Sequence, residues 1–272
     1  MTTIDSSTQA YAGVDGLSVT LTDGVLSLTM NRPESLNSLT ETMLAGIADT
    51  LERAATDDRV KVVRLGGAGR AFSSGAGISG DDQAKKAHGS LAGVLDEANR
   101  AVRSIVALPR PVVALVHGPA AGVGASLALA SDVVLASDKA YFLLAFTKIG
   151  LMPDGGASAL VAAAVGRIRA MRMALLAERI SAAEALEWGL ATAVYPEDRF
   201  GAEVDKVISA LLTGPAVALR KTKDAINAAT LSRLEPALDR ERTGQLQLLT
   251  GHDFVEGTLA FQQRRKAEFT DT

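Results

Sequence analysis

Residues 111–156 read PVVALVHGPAAGVGASLALASDVVLASDKAYFLLAFTKIGLMPDGG, and the fold is decided there. Val112 to Val116 is a short β-branched run, closed at once by Gly118 and Pro119, which predicts a buried strand and then a turn. Gly122 and Gly124 open a run of Ala, Ser and Leu with helical propensity, and a second strand and a loop lead to Pro153-Asp154-Gly155-Gly156. A strand that feeds a glycine turn and a helix aims free backbone N–H groups, backed by the helix dipole, at whatever lies above the turn. Such a place suits developing negative charge. Taken alone, one such turn is also what tight packing of glycines produces.

Working outward, Leu17–Leu21 and Val25–Met30 alternate around Thr22-Asp23-Gly24, a hairpin signal. Ser38 with Glu41 three residues on suggests a capping box, and an apolar face through Leu44, Ile47, Leu51 and Ala55 predicts a helix to about Thr56. Val60–Leu65 reads as a strand. The small-residue stretch Arg70–Ile78 follows a strand end, where ligands of open α/β sheets gather. Ser79–Ser90, with Asp81, Asp82, Lys85 and Lys86, reads as a polar surface segment, and Leu91–Leu108 as a helix.

Beyond residue 156, Ala157–Val165 predicts a helix that ends at Gly166. Ser181 and Glu184 form a second capping box, with a stop at Gly189. Phe200–Leu212, Ala216–Ala229, Leu231–Leu249 and Asp253–Phe269 read as helices, with Pro236 in a first turn. This divides the chain into an α/β core over 1–200 and a helical region over 201–272.

The chain has 272 residues, 47% of them apolar, enough for a sizeable core. Its 28 basic and 31 acidic side chains leave a net charge of −3, which disfavours a general nucleic-acid binder. With no cysteine there is no disulfide, thiolate metal site or cysteine nucleophile, and three scattered histidines suggest no metal site. His117, on a buried strand, reads as structural. The first fifteen residues carry no Lys or Arg, and no apolar run reaches membrane-spanning length, so the expectation is a cytoplasmic protein without a membrane span.

Several segments together, in order along nearly the whole chain, resemble the crotonase (enoyl-CoA hydratase/isomerase) family. They are Asn31-Arg32-Pro33 with Leu36–Leu39, Ala71–Ala76, Pro111–Asp132, Ile149–Gly156, Glu184-Ala185 with Gly189-Leu190, and Gly257–Phe269. The resemblance implies a spiral of strand-strand-helix units with a helical C-terminal region that serves trimerisation and site closure. It implies a homo-trimer or dimer of trimers, and an acyl-CoA thioester as substrate, with coenzyme A part of that substrate and no separate cofactor or metal. By motif, the thioester oxygen accepts the backbone N–H groups of Ala76 and Val123. Leu36, Ala71, Ser73, Gly75, Ile78, Gly122, Ser126 and Phe146 line the path of the substrate, and Arg264, Arg265 and Lys266 fit a basic cluster that meets CoA phosphate.

The departures from the family pattern carry the reaction class. Where the family's hydratases place two Glu, this chain has Ser126 and Phe146. Hydration needs a water held, deprotonated and matched by proton delivery, work that two carboxylates usually share. Asp154 falls where the isomerase-like members carry an acid. A double-bond shift needs one base, so Asp154 is the expected catalytic residue of an enoyl-CoA isomerase. The plainer role of Asp154 is to cap the helix that follows its Pro-Asp-Gly turn. Two other readings stand beside the isomerase. One is a hydratase in which a non-family acid, Asp81 or Asp82, supplies the second carboxylate; another is a catalytically silent acyl-CoA-binding subunit. For one residue, Ser126, the plain reading is a helix residue with a spare hydroxyl. Gly77 stands where many relatives carry Asp.

Overall fold

The computed structural model describes residues 11–77 and 91–270; Ile78, Asp81, Asp82, His88 and the rest of the predicted surface segment lie outside them. The chain opens with the predicted hairpin, β1 (Leu17–Thr22) against β2 (Val25–Met30), joined by Asp23 and Gly24. Both turn residues have positive φ (49° and 83°), the geometry of a two-residue turn that follows strand twist. Helix α1 (Glu41–Ala54) comes next, then β3 (Val62–Gly67), α2 (Leu91–Ala107) and β4 (Val112–Val116).

From β4 on, the chain alternates between two sheets. β5 (Pro119–Ala121) precedes helix α3 (Val123–Ala130), and β6 (Val133–Ser137) precedes β7 (Tyr141–Leu143). After a 3-10 turn at Phe146–Ile149 come helix α4 (Ala157–Leu176), β8 (Ile180–Ser181), α5 (Ala182–Trp188) and β9 (Ala193–Tyr195). The larger sheet has the order β1-β2-β3-β4-β6-β9, parallel except for the hairpin, and the smaller one the order β5-β7-β8. The two middle turns, β4-β5-α3 and β6-β7-α4, thus each give one strand to each sheet before the helix. Helices α6 (Glu197–Leu212), α7 (Ala216–Thr230), α8 (Leu234–Leu248) and α9 (His252–Gln263) complete the chain.

Two apolar layers hold the sheets. The main core packs α1, α2, α3 and the start of α4 on one side of the larger sheet, with Met30, Leu44, Ile47, Phe72, Ile105 and Phe142 all fully buried. On the other side Val204 and Ile208 of α6 cover Val62, Val113, Leu115 and Leu135. A partly buried ion pair then ties α7 to the core. Lys223 Nζ lies 2.9 Å from Asp132 Oδ2 and donates to the carbonyls of Ile105 and Arg110, while Asp132 also accepts the Val112 N–H.

Several expectations are corrected. The cap of α1 is Thr40, whose hydroxyl accepts from the Met43 N–H, and Ser38 instead bonds Ser35 and Arg32. β3 begins two residues later than predicted, because Val60 is held in the preceding turn by Asp57. The helix from Ala157 does end at Gly166, with φ 75° and ψ 165° there, and a second helical stretch, not predicted from the sequence, runs on to Leu176. The last helix ends at Arg264, left-handed with φ 55°, and does not reach Phe269. The second capping box is present as read, with Ser181 and Glu184 bonded reciprocally.

Candidate active site

Two short parallel bridges build the first half of the site. Leu39 donates to the Gly75 carbonyl (2.8 Å) and accepts from the Gly77 N–H (3.2 Å), so it pairs on either side of Ala76. In a parallel ladder the residue between those two directs its own N–H to the opposite edge. On that edge Ser73 donates to Pro119 and accepts from Ala121, both at 2.9 Å. Ser73 stands abreast of Ala120, and the two segments run the same way. A Cβ on Gly122 would lie 3.7 Å from Gly75 Cα, so the residues that follow, Ala76 and Val123, leave from neighbouring points.

Glycines make that approach close. A Cβ on Gly75 would sit 2.8 Å from the Ala121 carbonyl oxygen, and one on Gly124 would sit 2.7 Å from Ser73 Cβ. Gly122 has φ 52° and ψ −130°, a conformation that glycine takes without strain, and it turns β5 directly into α3. Val123 is the first residue of that helix, so its N–H has no intrahelical acceptor. Among the described residues neither the Ala76 nor the Val123 amide finds a partner. The Val123 amide lies at the positive end of α3.

The second half is the loop that carries Asp154. Gly155 and Gly156 both have positive φ (63° and 76°), and the loop folds back on α3. A Cβ on Gly155 would lie 3.1 Å from Ser126 Cβ and 3.9 Å from Val123 Cγ1, which brings the acid's own segment against the helix of the free amide. Ser126 Oγ donates to the Asp154 carbonyl at 2.9 Å, so its hydroxyl is not spare but pins this loop. Phe146 is buried, and its Cζ would lie 3.7 Å from a Cβ on Gly122.

The Asp154 carboxylate does not cap the helix that follows it. That duty falls to Glu241 of α8, whose two oxygens accept from the Gly156 N–H (2.7 Å) and the Ser158 N–H (2.8 Å). One turn on, Gln245 accepts from the Met152 N–H at 3.2 Å and donates to Asp154 Oδ2 at 2.7 Å. Oδ1 of Asp154 is buried and unpartnered. Burial in this apolar corner, opposed by the Gln245 bond and reinforced by the Glu241 charge, pushes the Asp154 carboxyl up to about 7. Glu241 is itself raised by burial, against the pull of its two helix amides.

The other predicted residues fall as follows. Leu36 is left-handed (φ 57°) and half-buried, and Ala71 and Ser73 are fully buried, with Ser73 Oγ bonded to the Asn37 carbonyl and the Gly75 N–H. Arg265 is held by a bidentate pair with Glu256, and Arg264 ends α9. His117 bonds the Gly69 carbonyl at 2.8 Å. Residue reading missed Asn37, whose side-chain amide donates to Ala68, Ala71 and Phe72 and so fixes the loop before Ser73. It also missed Glu241 and Gln245, which sit in α8 among polar residues that resemble a solvated face. A surface hollow lined by Ser158, Ala162, Thr230, Arg233 and Arg240 includes neither amide and no acid.

Comparison with known proteins bears on the family of the chain. The family model for enoyl-CoA hydratase/isomerase matches residues 20–272. The chain belongs to that family. It is 38% identical over 249 residues to a 1,2-epoxyphenylacetyl-CoA isomerase of Escherichia coli, which covers 91% of this chain and 95% of that protein. It is 39% identical over 251 residues to a probable enoyl-CoA hydratase of Rhodobacter capsulatus, with 92% and 96% covered. Among solved structures, an enoyl-CoA hydratase from Mycobacterium avium subsp. paratuberculosis superposes with a TM-score of 0.88 at 69% identity, over 94% of this chain and 99% of that one. Family members act on acyl-CoA thioesters, and relatives of both reaction types occur.

Proposed function

We propose that this crotonase-family chain shifts the double bond of an enoyl-CoA, with Asp154 as its single acid/base and the amides of Ala76 and Val123 as the oxyanion hole. The observation that carries the reading is the Asp154 carboxylate: buried, relieved of helix capping by Glu241, and with one oxygen unengaged. Asp154 takes a proton from C2 of a 3-enoyl thioester. The C2–H electrons form C1=C2 and the C1=O π electrons move onto the thioester oxygen, giving a dienolate that keeps C3=C4 and is held by the two N–H groups. Asp154 then returns the proton at C4. As C4 takes it from the C3=C4 pair, C2=C3 forms and C1=O is restored, so the base is regenerated and nothing is added or lost. Preorganised donors of this kind supply roughly 3 kcal/mol each.

A base titrating at about 7 is matched to that work near neutral pH. Hydration would call for a second proton-bearing group, and the two positions that supply it in the hydratases are Ser126, engaged with the loop, and Phe146, apolar. The relatives leave the acyl group open between linear and ring-derived chains. We also propose that the protein works as a homo-trimer or dimer of trimers in the cytoplasm. Ile168, Leu175 and Leu176 of α4 and Val255 and Phe261 of α9 are all more than half exposed, which fits a buried subunit contact. No described helix is long and apolar enough to cross a membrane.

The test is turnover of a 3-enoyl-CoA by the parent and by Asp154→Asn, with hydration of a 2-enoyl-CoA measured beside it. Loss of about a thousandfold or more in the variant is expected. Undiminished isomerisation in Asp154→Asn overturns the reading. Hydration faster than isomerisation in the parent would make the chain a hydratase, and tight CoA-ester binding with neither reaction would make it a silent subunit.

A further inference from the structure

Asp154 is approached by one helix in a way that its reaction would need. Met152, Asp154, Gly156 and Ser158, alternate residues of the site loop, are each held by a side chain of α8. Gln245 takes the first two and Glu241 the last two, and at spacing i, i+4 the two lie on the same helix face. Helix α8 is in turn tied to α2 by Arg242 with Asp96 and by Glu235 with Arg103. The side-chain orientation of Gln245 is fixed by its partners. Its Oε1 must face the Met152 N–H, because only an oxygen accepts there, so the NH₂ group faces Asp154.

We propose that Gln245 is a positioning residue that engages Oδ2 of Asp154 and thereby assigns both proton transfers to Oδ1. This rests on the reading of Asp154 as the acid/base. Gln245 is 1% exposed and its bond to Oδ2 is 2.7 Å, within the range of charge-assisted bonds. Among the described residues Oδ1 is one of four buried side-chain polar atoms without a partner, and the one of them that belongs to the acid of the site. When Oδ1 carries the proton, Oδ2 is the carbonyl oxygen of the acid and still accepts from Gln245. The clamp therefore need not break at any point in the cycle, and the carboxyl is not free to rotate between taking the proton at C2 and returning it at C4.

The experiment compares the parent, Gln245→Met, Gln245→Glu and Asp154→Asn, with kcat, KM and the pH profile of kcat/KM on a 3-enoyl-CoA. Among the described residues the other titratable group acting on Asp154 is Glu241, whose oxygens are both held by helix amides in every variant. Gln245→Met keeps length and removes the donor. Its kcat is expected to fall about ten- to a hundredfold with KM little changed, as for a group displaced from its productive position. Its acid limb should move up by about one pH unit, because the charged carboxylate loses the bond that favours it. Gln245→Glu supplies a donor only while the new carboxyl keeps its proton, so its profile should fall on the alkaline side as well.

A Gln245→Met enzyme that keeps the parent's kcat and acid limb, with Asp154→Asn inactive, overturns this inference and leaves the acid/base reading intact. A lower kcat with an unmoved limb, and no alkaline fall in Gln245→Glu, marks Gln245 as merely structural and overturns it too. Full activity in Asp154→Asn removes both proposals together. If Gln245→Met does not fold, the shape of the Gln245→Glu profile decides.

Discussion

Asp154→Asn should make the protein less active and, at neutral to alkaline pH, more stable. In the unfolded chain the Asp154 carboxyl ionises near its ordinary 3.8, and in the fold at about 7. Between those values the folded protein holds a proton that the unfolded chain has released, so stability falls as pH rises and levels off above 7. At about 1.36 kcal/mol per pH unit, the separation of roughly three units corresponds to about 4 kcal/mol in all. Over the accessible span from pH 5 to pH 8 about 3 kcal/mol of it is expected. Asn cannot ionise and loses that dependence. Its NH₂ group takes the place of the unpartnered Oδ1, at a cost of about 1–3 kcal/mol that is the same at both pH values. Urea unfolding of both proteins at one protomer concentration, at pH 5 and pH 8, isolates the difference. Glu241 is buried and titrates in both, so its contribution cancels to first order. The stability gap between variant and parent should move in the variant's favour by about 2–3 kcal/mol from pH 5 to pH 8. A gap independent of pH would refute the reasoning, since it would mean that Asp154 folds already charged.

Gly122→Ala tests the amide of Val123. The added Cβ meets only ordinary contacts at 3.7 Å, so the cost of about 1–3 kcal/mol is that of holding φ 52° and ψ −130° with a side chain. Relief of that strain reorients the next amide, and kcat should fall about a hundredfold in a protein that still folds by urea titration; an unchanged kcat would remove Val123 N–H from the reaction. Lys223→Met leaves the Asp132 carboxylate, its side chain 19% exposed, without its cation and should cost about 1–3 kcal/mol, read from urea midpoints. Asp132→Asn added to it should recover part of that loss, and no recovery would show that Lys223 acts through the carbonyls of Ile105 and Arg110 alone.

What was legible in the sequence was whatever local chemistry dictates. Asp23-Gly24 specifies its turn because two positive φ angles are needed within two residues, and Ser181 with Glu184 closes a box inside a single helical turn. The strands β5, β8 and β9 were not legible. Two or three residues are too short for a period of two to register, and these strands exist because neighbouring strands offer them free edges. The cap of α1 moved to Thr40 because Ser38 is taken by Ser35 and Arg32, a competition that spacing alone does not reveal. At the site, Asp154 was legible as an acid in a turn, but its freedom from capping was not. That depends on Glu241, which lies 83 residues beyond Ser158, the amide it caps.

The same packing explains why one acid excludes another in this backbone. Ser126 is fully buried and its Cβ stands close to Gly155, so a longer side chain at 126 would press on the loop that carries Asp154. A carboxylate at 126 would also forfeit the bond from Ser126 Oγ to the Asp154 carbonyl and set a second negative charge beside an acid already raised by Glu241. Both effects displace Asp154. Serine at 126 thus suits the proposed use of Asp154, and a carboxylate there would work against it.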